Sequence, residues 1–144
     1  MNFGSIHIDH VGIATEDLEA ASHFWNLLRL TQSAEDETVK EQGVTTRFFS
    51  TSATDESVEN HPPMVELLQP TSEDSPIGRF LAKRGPGIQQ LCFRVENLQE
   101  LIDYLLDNGI QMIDSAPKLG AGDSKIAFVH PKSTGGVLVE LKQR

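Results

Sequence analysis

The sequence predicts an α+β fold in which one βαβββ unit occurs twice. The first observation is an internal repeat: Ile8–Leu28, IDHVGIATEDLEAASHFWNLL, aligns without a gap on Ile88–Asn108. His10 then meets Gln90, Ile13 meets Phe93, Glu16 meets Glu96, Asp17 meets Asn97, Leu18 meets Leu98 and Phe24 meets Tyr104. The second observation is a later echo, in which Val65-Glu66-Leu67 returns as Val139-Glu140-Leu141. A strand-helix unit repeated, each copy closing on a strand that carries a Glu, predicts two similar modules facing each other. We expect a single domain over 1–144, with module 1 at 6–70, module 2 at 88–142 and a short helical linker at 75–84. His10, Glu66, Gln90 and Glu140 then occupy equivalent positions around one shared centre.

The elements follow in order. Ile6–Ala14 alternates as a strand, with Ile8, His10, Gly12 and Ala14 on one face and Val11 and Ile13 on the other. Thr15–Asp17 supplies cap residues, and the next helix buries Leu18, Ala21, Trp25 and Leu28 at spacings of three and four, covering the Val11/Ile13 face. Residues 31–37 read as a polar turn. Val39–Ser50 reads as a strand pair bent near Gly43, and 51–62 as a long acidic loop. Met64–Leu68 is a strand. Ser75-Pro76 starts a helix, which Gly85-Pro86-Gly87 ends. The second module runs as a strand at Ile88–Val95, a helix from about Asn97 to Asp107, and a short strand near Gln111–Ile113. The Gly-rich loop Lys118–Ser124, the strand Ile126–Val129 and the strand Val137–Lys142 complete it.

Composition bounds the function. The 144 residues include 12 Lys and Arg against 21 Asp and Glu, a formal charge of −9. Such a balance argues against nucleic acid and against anionic membrane surfaces as partners, so an anionic ligand needs local cations. The single Cys, Cys92, excludes an internal disulfide. With His7 and Asp9 the start is too polar for a signal peptide, and no apolar run nears a membrane span. The expectation is a cytoplasmic protein.

Glu66 and Glu140 each interrupt an apolar strand. A carboxylate facing a core is costly unless paired, protonated or metal-bound. Either both point to solvent from one-sided sheets or they share a site, and their repeat-related placement beside His10 favours the site. A His/Glu/Glu set suits Co, Ni, Mn, Zn or Fe(II) in an open octahedral arrangement. Gln90 offers a neutral carbonyl oxygen, a weaker donor than imidazole; it completes such a site or marks one without metal. Cys92 and Arg94 share its face, which makes Arg94 a candidate carboxylate or phosphate anchor. Glu41, just before Gly43 in KEQGV, is on its own an ordinary surface Glu. GAGDS lacks the Lys-Ser/Thr of a P-loop. His7, His23, His61 and His130 carry no spacing signal; His23 reads as helix surface and His61 as loop. Nothing sets Cys92 beside a base.

The segments IDHVGIAT, EQGV, VELLQP with DSPIGRFL, and GAGDSKIAFVHPKSTGGVLVEL, in that order, resemble the methylmalonyl-CoA epimerase family of the vicinal-oxygen-chelate superfamily, also called the glyoxalase superfamily. The likeness runs from about Ile6 to Leu141. It implies βαβββ modules forming a cup-shaped sheet around a divalent metal ion (Co, Mn, Ni or Zn), with His10, Glu66, Gln90 and Glu140 as ligands. The family reads GIHHI where this chain has GIQQL, so Gln90 stands where its second His is expected. Glu41 matches the Glu taken as an acid/base residue, and Glu140 supplies the second catalytic carboxylate. The implied activity is inversion of the α-carbon of methylmalonyl-CoA or a close 2-substituted malonyl-CoA, in a homodimer. Lys83, Arg84, Lys118, Lys125 and Lys132 are the cations available to CoA phosphates. A glyoxalase-type isomerase or lyase needs a thiol-adduct pocket. Gln89-Gln90 supports a metal-free small-molecule binder, which the retained Glu41, Glu66 and Glu140 oppose.

Overall fold

The computed structural model describes residues 2–51 and 61–144, and the chain divides into two compact units, His10–Gln89 and Met1–Asp9 with Gln90–Arg144. Most of the expected acidic loop at 51–62 therefore lies outside the described residues. Among those described, no helix is long and apolar enough to cross a membrane.

The His10–Gln89 unit takes its first strand from β1 (Ile6–Ala14), followed by α1 (Leu18–Leu27), β2 (Thr31–Gln32), β3 (Glu37–Val39), β4 (Val44–Ser50), β5 (Met64–Pro70) and α2 (Pro76–Arg84). Its strands are ordered β2-β4-β5-β1, with β3 also on β4. Strands β1 and β5 run parallel, while β4 and β5 run antiparallel. Both β2 and β3 lie along β4, so the expected polar turn at 31–37 is one interrupted edge strand. The bend near Gly43 is a short 3-10 turn at Lys40–Gln42, closed by Gly43 in the left-handed region, at φ 63°.

In the other unit, β6 (Gly87–Val95) contributes from Gln90 onward. It is followed by α3 (Leu98–Asp107), β7 (Lys118–Leu119), β8 (Lys125–Val129) and β9 (Val139–Gln143), ordered β6-β9-β8-β7. Here too β6 and β9 are parallel and β8 and β9 antiparallel. The strand expected near Gln111–Ile113 is reduced to a single bridge, Met112 to Val129. In the repeat alignment these two residues correspond to Gln32 and Phe49, which pair between β2 and β4.

Each unit has its own core. Leu18, Phe49 and Leu67 are buried in the first, with Ile13, Ala21, Trp25, Leu30 and Val65 packed around them. The second buries Val95, Leu98, Leu101, Ile102, Ala127, Val129 and Leu141. Thus α1 covers Ile13 as its apolar spacing requires, but Leu28, expected inside, is 53% exposed at the helix end. The helix starts are built alike. Asp17 Oδ1 accepts from the N–H of Glu19 at 2.9 Å, and Asn97 Oδ1 from that of Glu100 at 3.2 Å. Gln69 Oε1 accepts from Leu18 N–H at 2.9 Å and Gln143 Oε1 from Leu98 N–H at 2.7 Å. Side chains from the last strand of each unit thereby satisfy donors that a helix start leaves open.

Buried Arg47 on β4 ties α1 to the sheet. Its Nε and Nη2 donate to the two oxygens of Asp36, both at 2.7 Å, Nη1 donates to Ser22 Oγ at 2.9 Å, and Nη2 reaches Glu19 at 2.9 Å. The hydrogen bonds from Arg47 hold the Asp36 carboxyl below the usual carboxylate range, against the opposing effect of burial, and its positive charge adds to the lowering. A carboxyl lowered on folding stabilises above its unfolded pKa of about 3.9, and that contribution is lost as pH falls through the lowered folded value. Urea melts of wild type and Asp36→Asn between neutral and acid pH should therefore show a stability gap that is constant near neutrality and closes toward low pH. A gap that widens on acidification would contradict the assignment.

Candidate functional site

In the His10–Gln89 unit, the parallel register sets His10 beside Met64 and Gly12 beside Glu66. Residues two apart on a strand share a face, so His10 and Glu66 project to the same side as diagonal neighbours. Nε2 of His10 stands 3.1 Å from Oε1 of Glu66, and the two residues are 1% and 4% exposed. Phe48, opposite Glu66 on β4, sets its ring at 86° to the His10 imidazole with centroids 5.3 Å apart.

The other unit repeats the device. Cys92 pairs with Glu140 across β6 and β9, and Phe128 lies opposite Glu140 on β8. Gly12 aligns with Cys92, Phe48 with Phe128 and Glu66 with Glu140, so the sequence repeat is also a repeat of register. Gln90, two positions before Cys92, takes the place that His10 has before Gly12. Its Nε2 donates to Glu140 Oε1 at 3.3 Å, with both residues buried. Neither Glu66 nor Glu140 faces solvent, which removes the one-sided-sheet reading of these carboxylates.

The donor chemistry of each pair suits a divalent cation. With metal–ligand bonds of about 2.1 Å, neighbouring octahedral ligands lie about 3.0 Å apart. The 3.1 Å between His10 and Glu66 matches that spacing. Gln90 turns its NH2 toward Glu140. A half-turn of the amide would present its oxygen instead.

The remaining candidates separate. Glu41 belongs to neither pair: it is exposed, in the middle of the Lys40–Gln42 turn. Arg94 is no open anchor, because its Nη1 lies 3.3 Å from Asp9 Oδ1 and its side chain is 11% exposed. His61 is a loop residue, as expected, and a buried one, with Nδ1 2.7 Å from the Pro62 carbonyl oxygen. Of the cations considered for CoA, Lys83, Lys125 and Lys132 are exposed. Arg84 lies over the Phe80 ring, and Lys118 pairs with Asp114 at 3.1 Å and lies over Phe128. Sequence reasoning misses Asp9. It is fully buried, with Lys142 Nζ at 3.6 Å and Arg144 Nη2 at 4.0 Å in addition to Arg94. Strand alternation is the available signal, since Asp9 falls on the same face as Val11 and Ile13.

The sequence pattern of the Glyoxalase/Bleomycin resistance protein/Dioxygenase superfamily matches residues 9–128. The chain is 38% identical over 140 residues to an ethylmalonyl-CoA/methylmalonyl-CoA epimerase of Cereibacter sphaeroides, covering 94% of this chain and 96% of that protein. Among solved structures it is similar to a methylmalonyl-CoA epimerase in complex with methylmalonyl-CoA and NH4+, with TM-score 0.87, 32% identity, and 97% and 95% of the two chains covered. A variant of the Streptomyces coelicolor methylmalonyl-CoA epimerase in complex with 2-nitronate-propionyl-CoA gives TM-score 0.86 and 33% identity, over 95% of this chain and 93% of that one.

Proposed function

Because the chain belongs to the glyoxalase/bleomycin resistance protein/dioxygenase superfamily and has its fold, we propose that it is an epimerase inverting the α-carbon of methylmalonyl-CoA or a closely related 2-substituted malonyl-CoA. The observation that carries this reading is the register-repeated pair of buried donors, His10 with Glu66 and Gln90 with Glu140.

The hydrogen between a thioester and a carboxylate is weakly acidic, and its removal leaves an enolate. In this reading His10, Glu66, Gln90 and Glu140 hold one divalent ion, Co, Mn, Ni or Zn. Such an ion supplies Lewis-acid stabilisation of negative charge on substrate oxygens. Inversion requires a proton to leave from one face and return to the other. Glu41 carries the proton on one face, and Glu140 on the other. The CoA phosphates draw on Lys83, Lys125 and Lys132, with Arg84 and Lys118 as further cations. Composition suggests a cytoplasmic protein, and the resemblance brings a homodimer, which sedimentation at micromolar concentration tests: a single species at the 15.9 kDa mass of one chain would overturn the dimer. One observation favours the second reading, a metal-free binding protein: Gln90 turns its amide N–H toward Glu140, as a hydrogen-bond partner does.

The two readings part in one experiment. Protein purified without chelator is analysed for metal, reconstituted with each of the four ions, and incubated with methylmalonyl-CoA in deuterated water. The epimerase should retain about one ion per chain and exchange the α-proton with loss of stereochemical purity. Gln90→His should bind the ion more tightly, on the order of tenfold, because imidazole is the better donor. Binding of the thioester with no exchange under any ion would leave the binding protein standing.

A further inference from the structure

Glu41 is the exposed centre of a short turn, yet the end of that turn is held. Gly43 closes it at φ 63° and donates its N–H to the Lys40 carbonyl at 3.1 Å. Strand β4 begins at the next residue, and its antiparallel register, Val44 beside Pro70, brings Gly43 opposite Thr71. The Thr71 N–H donates to the Gly43 carbonyl at 3.0 Å, extending the ladder by one bond. A Cβ at Gly43 would lie 2.8 Å from Ser75 Cβ and 3.6 Å from Thr71 Oγ1. Ser75 has little room to move. It is 6% exposed, its Oγ donates to the Ser72 carbonyl at 2.8 Å, and the same Oγ caps α2 by accepting from Gly78 N–H at 3.1 Å.

The comparison with the other unit shows what this support adds. The equivalent 3-10 turn there, Ala121–Asp123, also precedes a strand paired to β9, and Asp123, which aligns with Gly43, is again left-handed at φ 57°. The residue aligned with Glu41 is Ala121, so this turn presents no carboxylate at that position. It nevertheless accepts a side chain at its left-handed end. The backbone conformation at 43 therefore favours glycine but also admits a residue such as Asp, which enters the left-handed region more readily than most. What excludes every Cβ at 43 is the Ser75 cap standing against the turn, and that abutment belongs to the turn that carries the glutamate.

From this geometry we infer that Gly43 and Ser75 are positioning residues for Glu41: the glycine lets the turn seat against the α2 cap, and the seat fixes where the carboxylate stands. The inference rests on the acid/base role proposed for Glu41. Misplacing a reacting group by about 1 Å costs on the order of 100-fold. The left-handed region adds a further cost for most residues with a Cβ.

The test uses the full-length, metal-loaded protein and follows α-proton exchange separately for each enantiomer of methylmalonyl-CoA, with kcat and KM. Gly43→Ala should lower kcat about 10- to 100-fold with KM nearly unchanged, and should slow exchange of the one enantiomer that Glu41→Gln also slows. Ser75→Gly, a conservative change at a helix cap, removes the obstructing Cβ. Added to Gly43→Ala it should restore part of the lost exchange, a rescue that general destabilisation would not produce. Equal slowing of both enantiomers by Gly43→Ala, or no rescue, would overturn the positioning role while leaving Glu41 as the base. A Glu41→Gln protein with unaltered exchange of both enantiomers would remove the base and its support together. If Gly43→Ala does not fold, Ser75→Gly alone decides: it should slow the Glu41-dependent enantiomer several-fold and spare the other, and symmetric or absent effects would overturn the inference.

Discussion

Glu41→Gln should lower net inversion by about 100- to 10,000-fold, the range contributed by one positioned acid/base group. The amide is close to the carboxylate in shape and lies outside both buried pairs, so metal content should stay at the wild-type level. One enantiomer should still exchange its α-proton with deuterated solvent, because the carboxylate on the other face remains. Glu140→Gln should suppress both enantiomers and weaken metal retention, since it removes a ligand charge together with a proton carrier. Following deuterium content and stereochemistry in the same sample separates these patterns. Inversion at the wild-type rate in Glu41→Gln would take Glu41 out of the mechanism without touching the epimerase assignment.

The second large effect is on stability. Asp9 is fully buried beside Arg94 and Lys142, whose side chains are only 11% and 8% exposed. Removing one partner of a buried ionic group while the other stays inside typically costs about 3–5 kcal/mol. Asp9→Ala should fall in that range by urea denaturation, with Asp9→Asn losing less because it retains an oxygen acceptor. A loss below about 1 kcal/mol for Asp9→Ala would mean that the cations turn to solvent and that the cluster contributes little.

These two residues mark where the sequence is readable and where it is not. Periodicity identifies the strands around His10 and Gln90 and the helices after them, because a buried face imposes its spacing on every copy. The repeat goes further than spacing, since the residues aligned around Glu66 and Glu140 occupy the same strand registers, while β7 meets β8 one residue out of step with β3 on β4. Leu28 is misread because apolar spacing says nothing about where a helix runs out of neighbours. Asp9 and Arg94 are hidden for another reason. The strand pattern offers Arg94 as an anchor for some carboxylate, and only pairing across 85 residues of chain supplies Asp9 as that partner. His61 shows the same limit, a polar residue in a Pro-rich stretch that the fold nevertheless encloses. Glu41 is legible only through resemblance. One exposed carboxylate on a turn has no pattern of its own, and the Ser75 cap that distinguishes it arrives only after β4 and β5 have intervened.

The interrupted edges have a consequence for the life of the protein in a crowded solution. Strand β4 is flanked by the short pieces β2 and β3, and β8 by the two-residue β7 and one isolated bridge. A long, flat, unpaired strand invites the edge of another molecule, and that pairing is the first step of β-aggregation. Of the pieces that lie along β4 and β8, none is longer than β3, Glu37–Val39. Lys118 and Glu37 add charge on those pieces, so an incoming strand would gain few hydrogen bonds before meeting a break. The same irregularity that hides these short strands from a periodicity reading therefore protects against association along β4 and β8, and leaves these edges tolerant of insertions that would endanger a continuous one.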